Sequence, residues 1–193
     1  MKSQMIFLDA LADIFQGIYL KTQPGDKGQI ERVVRIHNLM ALELRGEFIE
    51  EELIAEKMDR FRVREGQIIV SLRGFPLKAS VVGADTAGVV VNSNFAVLTL
   101  IKDVDPFFLV GLLRSVSFNR TIRSHFSSSG VPSLKLSQLK KFAIPLVSDE
   151  VQRQMGMVFR AFERYQTAME VLLAERGQQV ESYVGQLLQG GLS

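Results

Sequence analysis

The pattern of apolar and polar positions divides the chain into two parts. Up to about residue 147, short apolar runs rich in β-branched residues alternate with Gly, Pro and Asn. Runs of this length and composition are typical of β-strands. The predicted strands are Ile68 to Leu72, Ser80 to Val82, Gly88 to Val91 and Phe95 to Ile101, and Asn92-Ser93-Asn94 is predicted to form a turn or bulge.

Two segments of this first part carry helical patterns instead. Glu50 to Asp59 is rich in residues that favour helices. Pro106 to Ser117 follows Asp105, a candidate N-cap, and has proline at its first helical position. Its broad apolar face consists of Phe107, Phe108, Leu109, Leu112 and Leu113. Residues 1–147 are therefore predicted to form an α/β (α+β) domain of irregular, β-rich character.

The second part, residues 148–193, has the pattern of one long helix. Asp149 to Gln152 has the arrangement of a capping box, in which Gln152 reaches back to the first turn. No proline follows, so the helix is predicted to continue to about Gln189. A helix of roughly 40 residues is about 60 Å long.

Apolar residues recur along this helix in alternating steps of four and three. They are Val151, Met155, Val158, Phe162, Tyr165, Met169 and Leu172. This spacing is the heptad seam of a coiled coil, and its register shifts near Gly177. A helix folded back on its own domain is the alternative. The length of the rod favours a partner helix, either in the same complex or in a second copy of the chain.

Composition excludes several classes of protein. The 193 residues are 47% hydrophobic and 23% charged, which fits one globular domain with an appended element and excludes a disordered or collagen-like chain. The absence of Cys excludes disulfides, Cys-ligated metals and a cysteine nucleophile. Met5 to Leu20 is interrupted by Asp9 and Asp13, and no run is long enough to span a bilayer. The expected location is the cytoplasm.

Charge is distributed unevenly along the chain. Residues from Asp149 onward contain six acids and four arginines, whereas the first 148 residues contain 19 cations and 15 acids. The run from Pro106 to Ser148 has no acid at all and includes six Lys or Arg residues. A polyanion is a natural partner for such a segment, and an ordinary solvated surface is the alternative.

The residues that could carry chemistry form no catalytic constellation. There is no P-loop, glycine-rich nucleotide fingerprint or Ser/His/Asp arrangement of note. Glu50-Glu51-Glu52 would spread over a helix surface and would not converge on a metal ion. We therefore expect no cofactor and no metal, and the chain is predicted not to be an enzyme by itself.

Five motifs occur in an order that points to one family. They are Leu11 to Gly17, Val34 to Leu39, Val63 to Gly74, Ser129 to Pro145, and Glu150 to Met155. In them the chain resembles the DNA specificity subunit of type I restriction-modification systems. Val63 to Gly74, for example, is similar to the strand Lys-Glu-Gly-Asp-Ile-Leu-hydrophobic-Ser-Arg-Arg-Gly of that family. Gln67 replaces the usual Asp of this strand, and Val147-Ser148 replace the Pro-Pro that often follows Ile-Pro.

The resemblance implies one target recognition domain followed by one long helix of the conserved region. A complete family member carries two of each, so a half-length form is expected. The domain would read one half of a bipartite target in double-stranded DNA. The helix would dock methyltransferase (modification) subunits, with the restriction subunit as a further candidate partner. The chain would pair as a homodimer or with a second specificity half, and a homodimer implies a palindromic target.

Two other functions stay open at this stage. A coiled-coil interaction adaptor, or a decayed half subunit that reads no DNA, would keep the same framework motifs. An enzyme with an unrecognised site is the third reading. Sequence-specific, salt-dependent DNA binding separates the first reading from the adaptor.

The candidate DNA contacts are chosen by side-chain chemistry, because recognition domains of the family differ most where they touch bases. The candidates are Arg73, Gly74, Asn119, Arg120, Arg123, Ser124, His125, Lys135, Lys140 and Lys141. Arginine pairs with guanine or phosphate, and glycine allows close approach of the backbone. The alternatives are an arginine bonded to local carbonyls in a tight hairpin, an ordinary exposed helix end, and solvated lysines. His37-Asn38 would read bases or end a strand.

Overall fold

A computed structural model describes residues 4–19, 28–53, 58–127 and 130–190. The strands are β1 (Gln4–Phe7), β2 (Ala12–Gln16), β3 (Gln29–Val33), β4 (Ile49–Leu53), β5 (Ile68–Ser71), β6 (Ala79–Val81), β7 (Phe95–Leu100) and β8 (Ala143–Leu146). The helices are α1 (Pro106–Arg114), α2 (Val116–Ile122), α3 (Leu136–Lys140) and α4 (Asp149–Gly190). The predicted architecture, a β-rich mixed domain followed by a long C-terminal helix, is confirmed.

The centre of the domain is a four-stranded antiparallel sheet in the order β2-β7-β5-β6. Every residue of β5 is buried, because both faces of the sheet are covered. Ile68 and Val70 face the core that includes α1, whereas Ile69 faces a second apolar cluster with Val34 and Val97. Successive side chains of a strand point to opposite faces, so one short strand contributes to both cores. Two further antiparallel pairs, β1-β8 and β3-β4, flank this sheet.

Three of the four predicted strands are confirmed within about one residue as β5, β6 and β7. The turn before β7 is also confirmed, with the Asn94 N–H donating to Asn92 Oδ1 over 2.9 Å. The prediction of a strand at Gly88 to Val91 is wrong. The backbone of this segment does not pair with one neighbouring strand. Isolated bridges and single hydrogen bonds join it to three separate segments, at Arg32, Val63 and Ile18.

The prediction of a helix over Glu50 to Asp59 is also wrong. Residues 50–53 belong to β4, which pairs with β3 in the register Arg32 to Glu50 and Glu31 to Glu51. Residues 54–57 lie outside the described residues, and Met58–Phe61 form a 3-10 turn. Helix propensity is worth less than 1 kcal/mol per ordinary residue. Backbone pairing, the Arg35–Glu51 ion pair and burial of Leu53 outweigh it here.

Helix α1 has the cap that the sequence predicts. The Phe108 N–H donates to Asp105 Oδ1 over 2.8 Å, and Pro106 is the first helical residue. The helix ends at Arg114, three residues earlier than predicted. Ser115 is the N-cap of α2, and its hydroxyl accepts from the Phe118 N–H over 3.2 Å.

Helix α4 runs over the predicted length, but the predicted capping box is wrong. The buried Gln152 side chain does not reach back to Asp149. Its Nε2 donates to the Val147 carbonyl (2.8 Å), and its Oε1 accepts from the Asp105 N–H (3.1 Å). Gln152 therefore fastens the first turn of α4 to the loop that precedes α1.

The helix joint is the contact between α4 and the domain, formed by Gly111, Gln152, Gly156, Phe159 and Glu163. A Cβ on Gly111 would lie 2.1 Å from the Phe159 ring, and one on Gly156 would lie 2.5 Å from Asp105 Oδ1. Glu163 Oε1 accepts from the Leu42 N–H over 2.6 Å. Gly111 thus permits close approach of α1 and α4, Gly156 leaves room for the Asp105 carboxylate, and Glu163 bonds α4 to the segment before β4.

Arg114 supports the domain beside this joint. Its guanidinium donates to the carbonyls of Leu39 (3.0 Å), Met40 (2.7 Å), Ala41 (2.7 Å) and Ala79 (3.1 Å). Burial lowers the pKa of Arg114, and the nearby Glu163 carboxylate acts in the opposite direction. Arg114 therefore ties the segment before β4 to the start of β6.

Beyond the joint, α4 extends away from the domain. Val151 and Met155 of the predicted seam are half-buried, and Met155 packs against the core with Phe159. The helix folds back on its domain only over these first turns. None of the helices within the described residues is long and apolar enough to cross a membrane.

Candidate nucleic-acid interface

A shallow groove lies beside the end of β5, where four segments of the chain meet. We call it the Arg73 groove. It has a volume of about 390 Å³, and its lining includes Arg35, Ile36, Arg73, Gly74, Asn94 and Val131. None of the described residues that line it is acidic, and Arg35 is paired with Glu51. Arg73 is therefore the lining cation that has no acidic partner among the described residues.

Backbone hydrogen bonds hold the segments of the Arg73 groove together. The Leu72 N–H donates to the Asn94 carbonyl (2.7 Å), and the Leu134 N–H donates to the Leu72 carbonyl (2.8 Å). The Gly74 N–H donates to the Pro132 carbonyl (2.8 Å). The Arg73 segment thus lies between the turn before β7 and the segment before α3.

Arg73 and Gly74 end this segment on the protein surface. The Arg73 side chain is exposed and makes no hydrogen bond within the described part of the chain, so the tight-hairpin alternative gains no support. Gly74 has φ +87°, a conformation that L side chains rarely adopt, and a Cβ there would meet nothing within 4 Å. Glycine is favoured here because the turn requires a positive φ, and not because neighbouring atoms leave no room for a side chain.

A second cationic group includes one arginine, Arg123, that lies close to the groove. Arg120 on α2 and the following Arg123, Ser124 and His125 are exposed. The Arg123 guanidinium lies over the Phe75 ring, 5.2 Å from its centroid. Phe75 follows Gly74, and Pro132 borders the depression that Arg123 lines. The structure therefore brings Arg123 and Arg73 to the same loop.

Asn119 has a structural role instead of the predicted DNA contact. It is 4% exposed. Its Oδ1 accepts from the Leu77 N–H (2.7 Å), and its Nδ2 donates to the carbonyls of Leu113 (2.9 Å) and Ser115 (3.0 Å). These bonds use both donor hydrogens and the acceptor, so no part of the amide remains for a base.

Asn38 is structural for the same reason. Its Oδ1 accepts from the Arg35 N–H (2.9 Å), and its Nδ2 donates to the carbonyls of Arg45 (3.2 Å) and Glu47 (3.0 Å). The neighbouring His37 ring lies 3.0 Å from the Glu47 carbonyl. His37-Asn38 thus shapes the loop before β4.

The three candidate lysines lie at the two ends of α3. Lys135 precedes the helix, is exposed, and directly follows Leu134, which is hydrogen-bonded to the Arg73 segment. Lys140 is half-buried at the last residue of α3, and Lys141 is exposed just beyond it. Only Lys135 is therefore adjacent to the Arg73 groove.

The predicted seam of α4 is exposed from Val158 onward. Phe162 is 59% exposed, and Val158, Tyr165, Met169 and Leu172 are also exposed. The residues that contact the domain lie about 100° around the helix from this seam. The seam is therefore open to a partner while α4 stays attached to its own domain.

Sequence reasoning missed the residues that complete the Arg73 groove. No local signal marks these residues for binding: Ile36 begins a 3-10 turn, Asn94 lies in the turn before β7, and Val131 lies in the segment before α3. Their proximity comes from pairings between segments that are far apart along the chain. Arg114 and Glu163 were missed for the same reason.

The sequence matches one family. The family described as the type I restriction modification DNA specificity domain matches residues 3–175. No curated protein matches the sequence. The described residues contain no group of three or more His, Cys, Asp or Glu that could hold a metal ion.

Several solved structures have a similar fold. A structure from work on complex assembly and conformational transition of the type I R-M system matches with a TM-score of 0.64 and 16% identity, covering 90% of this chain and 41% of that chain. The HsdS subunit from Thermoanaerobacter tengcongensis matches with a TM-score of 0.60 and 15% identity, covering 89% of this chain and 40% of that chain. The type I S subunit from M. genitalium matches with a TM-score of 0.54 and 16% identity, covering 89% of this chain and 41% of that chain. The chain thus spans about two fifths of the length of these proteins.

Proposed function

Because the chain belongs to the family of type I restriction-modification DNA specificity domains, we propose that it is a sequence-specific DNA-recognition subunit. Residues 1–147 read one half of a bipartite target in double-stranded DNA. Residues 148–193 form the helix that pairs with a partner helix and docks methyltransferase subunits. Methyl transfer belongs to those subunits, so the chain alone is expected to leave DNA unmodified.

The observation that carries this proposal is the cationic surface around the Arg73 groove. Arg73, Arg123 and Lys135 are exposed there, Arg120 is exposed on α2, and the stretch from Pro106 to Ser148 contributes no acid. DNA-binding proteins use such cations to bind phosphates and to position the side chains that read bases. The surface has the charge that a duplex requires and a groove in which a base edge could be read.

Removal of one surface cation tests the DNA-binding role. Arg123→Gln should weaken binding of the complex with methyltransferase subunits to all duplexes by a similar factor. It should also lower the slope of log affinity against log salt by about one, because one phosphate contact is lost. Binding is measured by fluorescence anisotropy at several salt concentrations on target and scrambled duplexes.

Arg64→Gln is the matched control, since Arg64 is exposed and lies outside both the Arg73 groove and α4. It should leave both affinity and slope unchanged. Equal effects of the two substitutions would contradict the placement of DNA at this surface. A wild-type complex without any sequence preference would favour the adaptor alternative.

We assign the exposed seam of α4 to a second copy of the chain. A stripe of large apolar residues with heptad spacing is buried when two helices pair, and antiparallel pairing would place two recognition domains at opposite ends of the pair. A helix from a different specificity chain or from a methyltransferase subunit is the other possible occupant of this seam.

Phe162→Asp should weaken this pairing, because it places a charge at the centre of the buried seam. We expect the dissociation constant of the dimer to rise at least tenfold, given the roughly 1.5–3 kcal/mol gained on burial of one Phe. Sedimentation equilibrium measures it. Met157→Asp is the control, because Met157 is equally exposed but lies off the seam. A wild-type chain that stays monomeric until another chain is added would assign the seam to that chain.

A further inference from the structure

Asn94 presents an unused carboxamide in the Arg73 groove. Its side chain is half-exposed, and among the described residues neither its amide nitrogen nor its oxygen has a hydrogen-bond partner. It contrasts with Asn38 and Asn119, whose side-chain amides are fully hydrogen-bonded to backbone groups. An amide that the fold does not use is available to a ligand.

The backbone of Asn94 is held on both sides. Its N–H donates to Oδ1 of the buried Asn92 (2.9 Å), and its carbonyl accepts from the Leu72 N–H (2.7 Å). The Phe95 N–H donates to the Asn92 carbonyl (3.0 Å), and Gln16 Nε2 donates to the Ser93 carbonyl (2.6 Å). Binding through Asn94 therefore orders little more than its own side chain, which keeps the entropic cost low.

Two apolar side chains share the groove with this amide. Val131 is 65% exposed, and Ile36 is 44% exposed. Single exposed apolar residues are ordinary on protein surfaces. Here both of them line the same depression as a free amide and a free arginine, with no acid among the lining residues. The groove thus offers a donor and acceptor pair, an apolar contact and a cation.

We infer that the Arg73 groove reads one A·T base pair from the major groove of the DNA, an inference that rests on the proposed function. The Asn94 carboxamide pairs with N6 and N7 of adenine, and Val131, with Ile36 beside it, contacts the methyl group of thymine. Arg73 binds the adjacent phosphate.

The edges of the base pairs support this choice. Adenine presents a donor and an acceptor that a carboxamide matches in a bidentate manner, and only thymine presents a methyl group. Guanine presents two acceptors in the same place, which an amide cannot satisfy with its one donor group and one acceptor. An A·T pair is the one whose two bases match the amide and the apolar contact together.

The experiment begins with selection of the target from a random duplex library by the complex of the full chain with methyltransferase subunits. Affinities are then measured for the selected duplex and for every single base-pair change. Asn94→Ala should bind the selected duplex about tenfold more weakly and lose discrimination at one A·T position only. Its thermal unfolding should be close to that of the wild type, because the carboxamide makes no hydrogen bond within the described residues.

Replacement of thymine by uracil at that position removes only the methyl group. The wild-type complex should bind the uracil duplex several-fold more weakly, and Val131→Ala should bind both duplexes equally. Val116→Ala, at an equally exposed valine outside the groove, should keep the wild-type preference.

Two results would overturn the inference while DNA reading itself stands. One is an equal loss at every position in Asn94→Ala, and the other is a change of preference confined to a G·C pair. A Val131→Ala complex that still prefers thymine would overturn the methyl contact. A wild-type complex that selects no sequence would overturn the proposed function as well, so the two failures are distinguishable.

Discussion

Replacement of Arg114 by methionine is expected to lower the free energy of unfolding by about 3–5 kcal/mol. The guanidinium donates to four backbone carbonyls from two segments of the domain. Methionine fills a similar volume but donates to none of them, and buried acceptors that lose a charged donor are costly. Chemical denaturation followed by circular dichroism measures the loss.

Two further variants make this result specific. Arg114→Lys should recover part of the stability, because one ammonium can still donate to some of the carbonyls. Arg120→Met, on the exposed face of the next helix, should change the free energy of unfolding by less than about 0.5 kcal/mol. An Arg114→Met variant within 1 kcal/mol of the wild type would show that water replaces the arginine at these carbonyls.

Gly111→Ala is expected to destabilise the protein by about 3 kcal/mol, although alanine normally favours a helix over glycine by about 1 kcal/mol. The reason is the helix joint. The added methyl group would lie 2.1 Å from one carbon of the Phe159 ring and 2.4 Å from another, so either the ring or the whole of α4 must shift. The free energy of unfolding measures the effect.

Gly177→Ala is the control for this prediction. Gly177 also lies inside a helix, but a Cβ there would meet nothing within 4 Å. It should not lower stability and should raise the helix content of α4 slightly. Gly111→Ala combined with Phe159→Ala should cost less than the sum of the two single changes, because the methyl group then has room. Simple additivity would argue against the steric explanation.

Local signals in the sequence were sufficient for several elements of the fold. Asp105 and Pro106 predict the start of α1, since a cap and a fixed φ act within one turn. Asn92 to Asn94 predict the turn before β7 for a similar reason. The absence of proline after Asp149 predicts the length of α4. Each of these features depends on residues only a few positions apart.

The errors arise where distant segments decide the outcome. Glu50 to Leu53 favour a helix locally, but their backbone pairs with β3. Val89 to Val91 have the composition of a strand, yet they bond to residues 18, 32, 34, 61 and 63 instead of to one neighbouring strand. Gln152 fits a capping box in sequence, but the arrival of Asp105 at the same place gives its side chain another partner.

The candidate site was predictable in its chemistry and only partly in its members. The cationic stretch after α1 and the exposed Arg73 follow from residue types, since charge is visible in any sequence. Whether an amide is free depends on the fold, which is why Asn119 was chosen from the sequence and Asn94 was overlooked. The structure reverses their roles because Asn119 is enclosed between Leu77 and Leu113.

The helix joint also acts as the pivot of a lever. From Glu163 to its end, α4 is about 40 Å long, and beyond Thr167 nearly all of its side chains are exposed. A change of about five degrees at the pivot moves the far end by about 3.5 Å, close to the roughly 3.4 Å rise of one base pair. In the proposed pair of chains, the angle at this joint would therefore affect the number of base pairs between the two half-sites. Spacer length would be encoded by residues that never touch DNA.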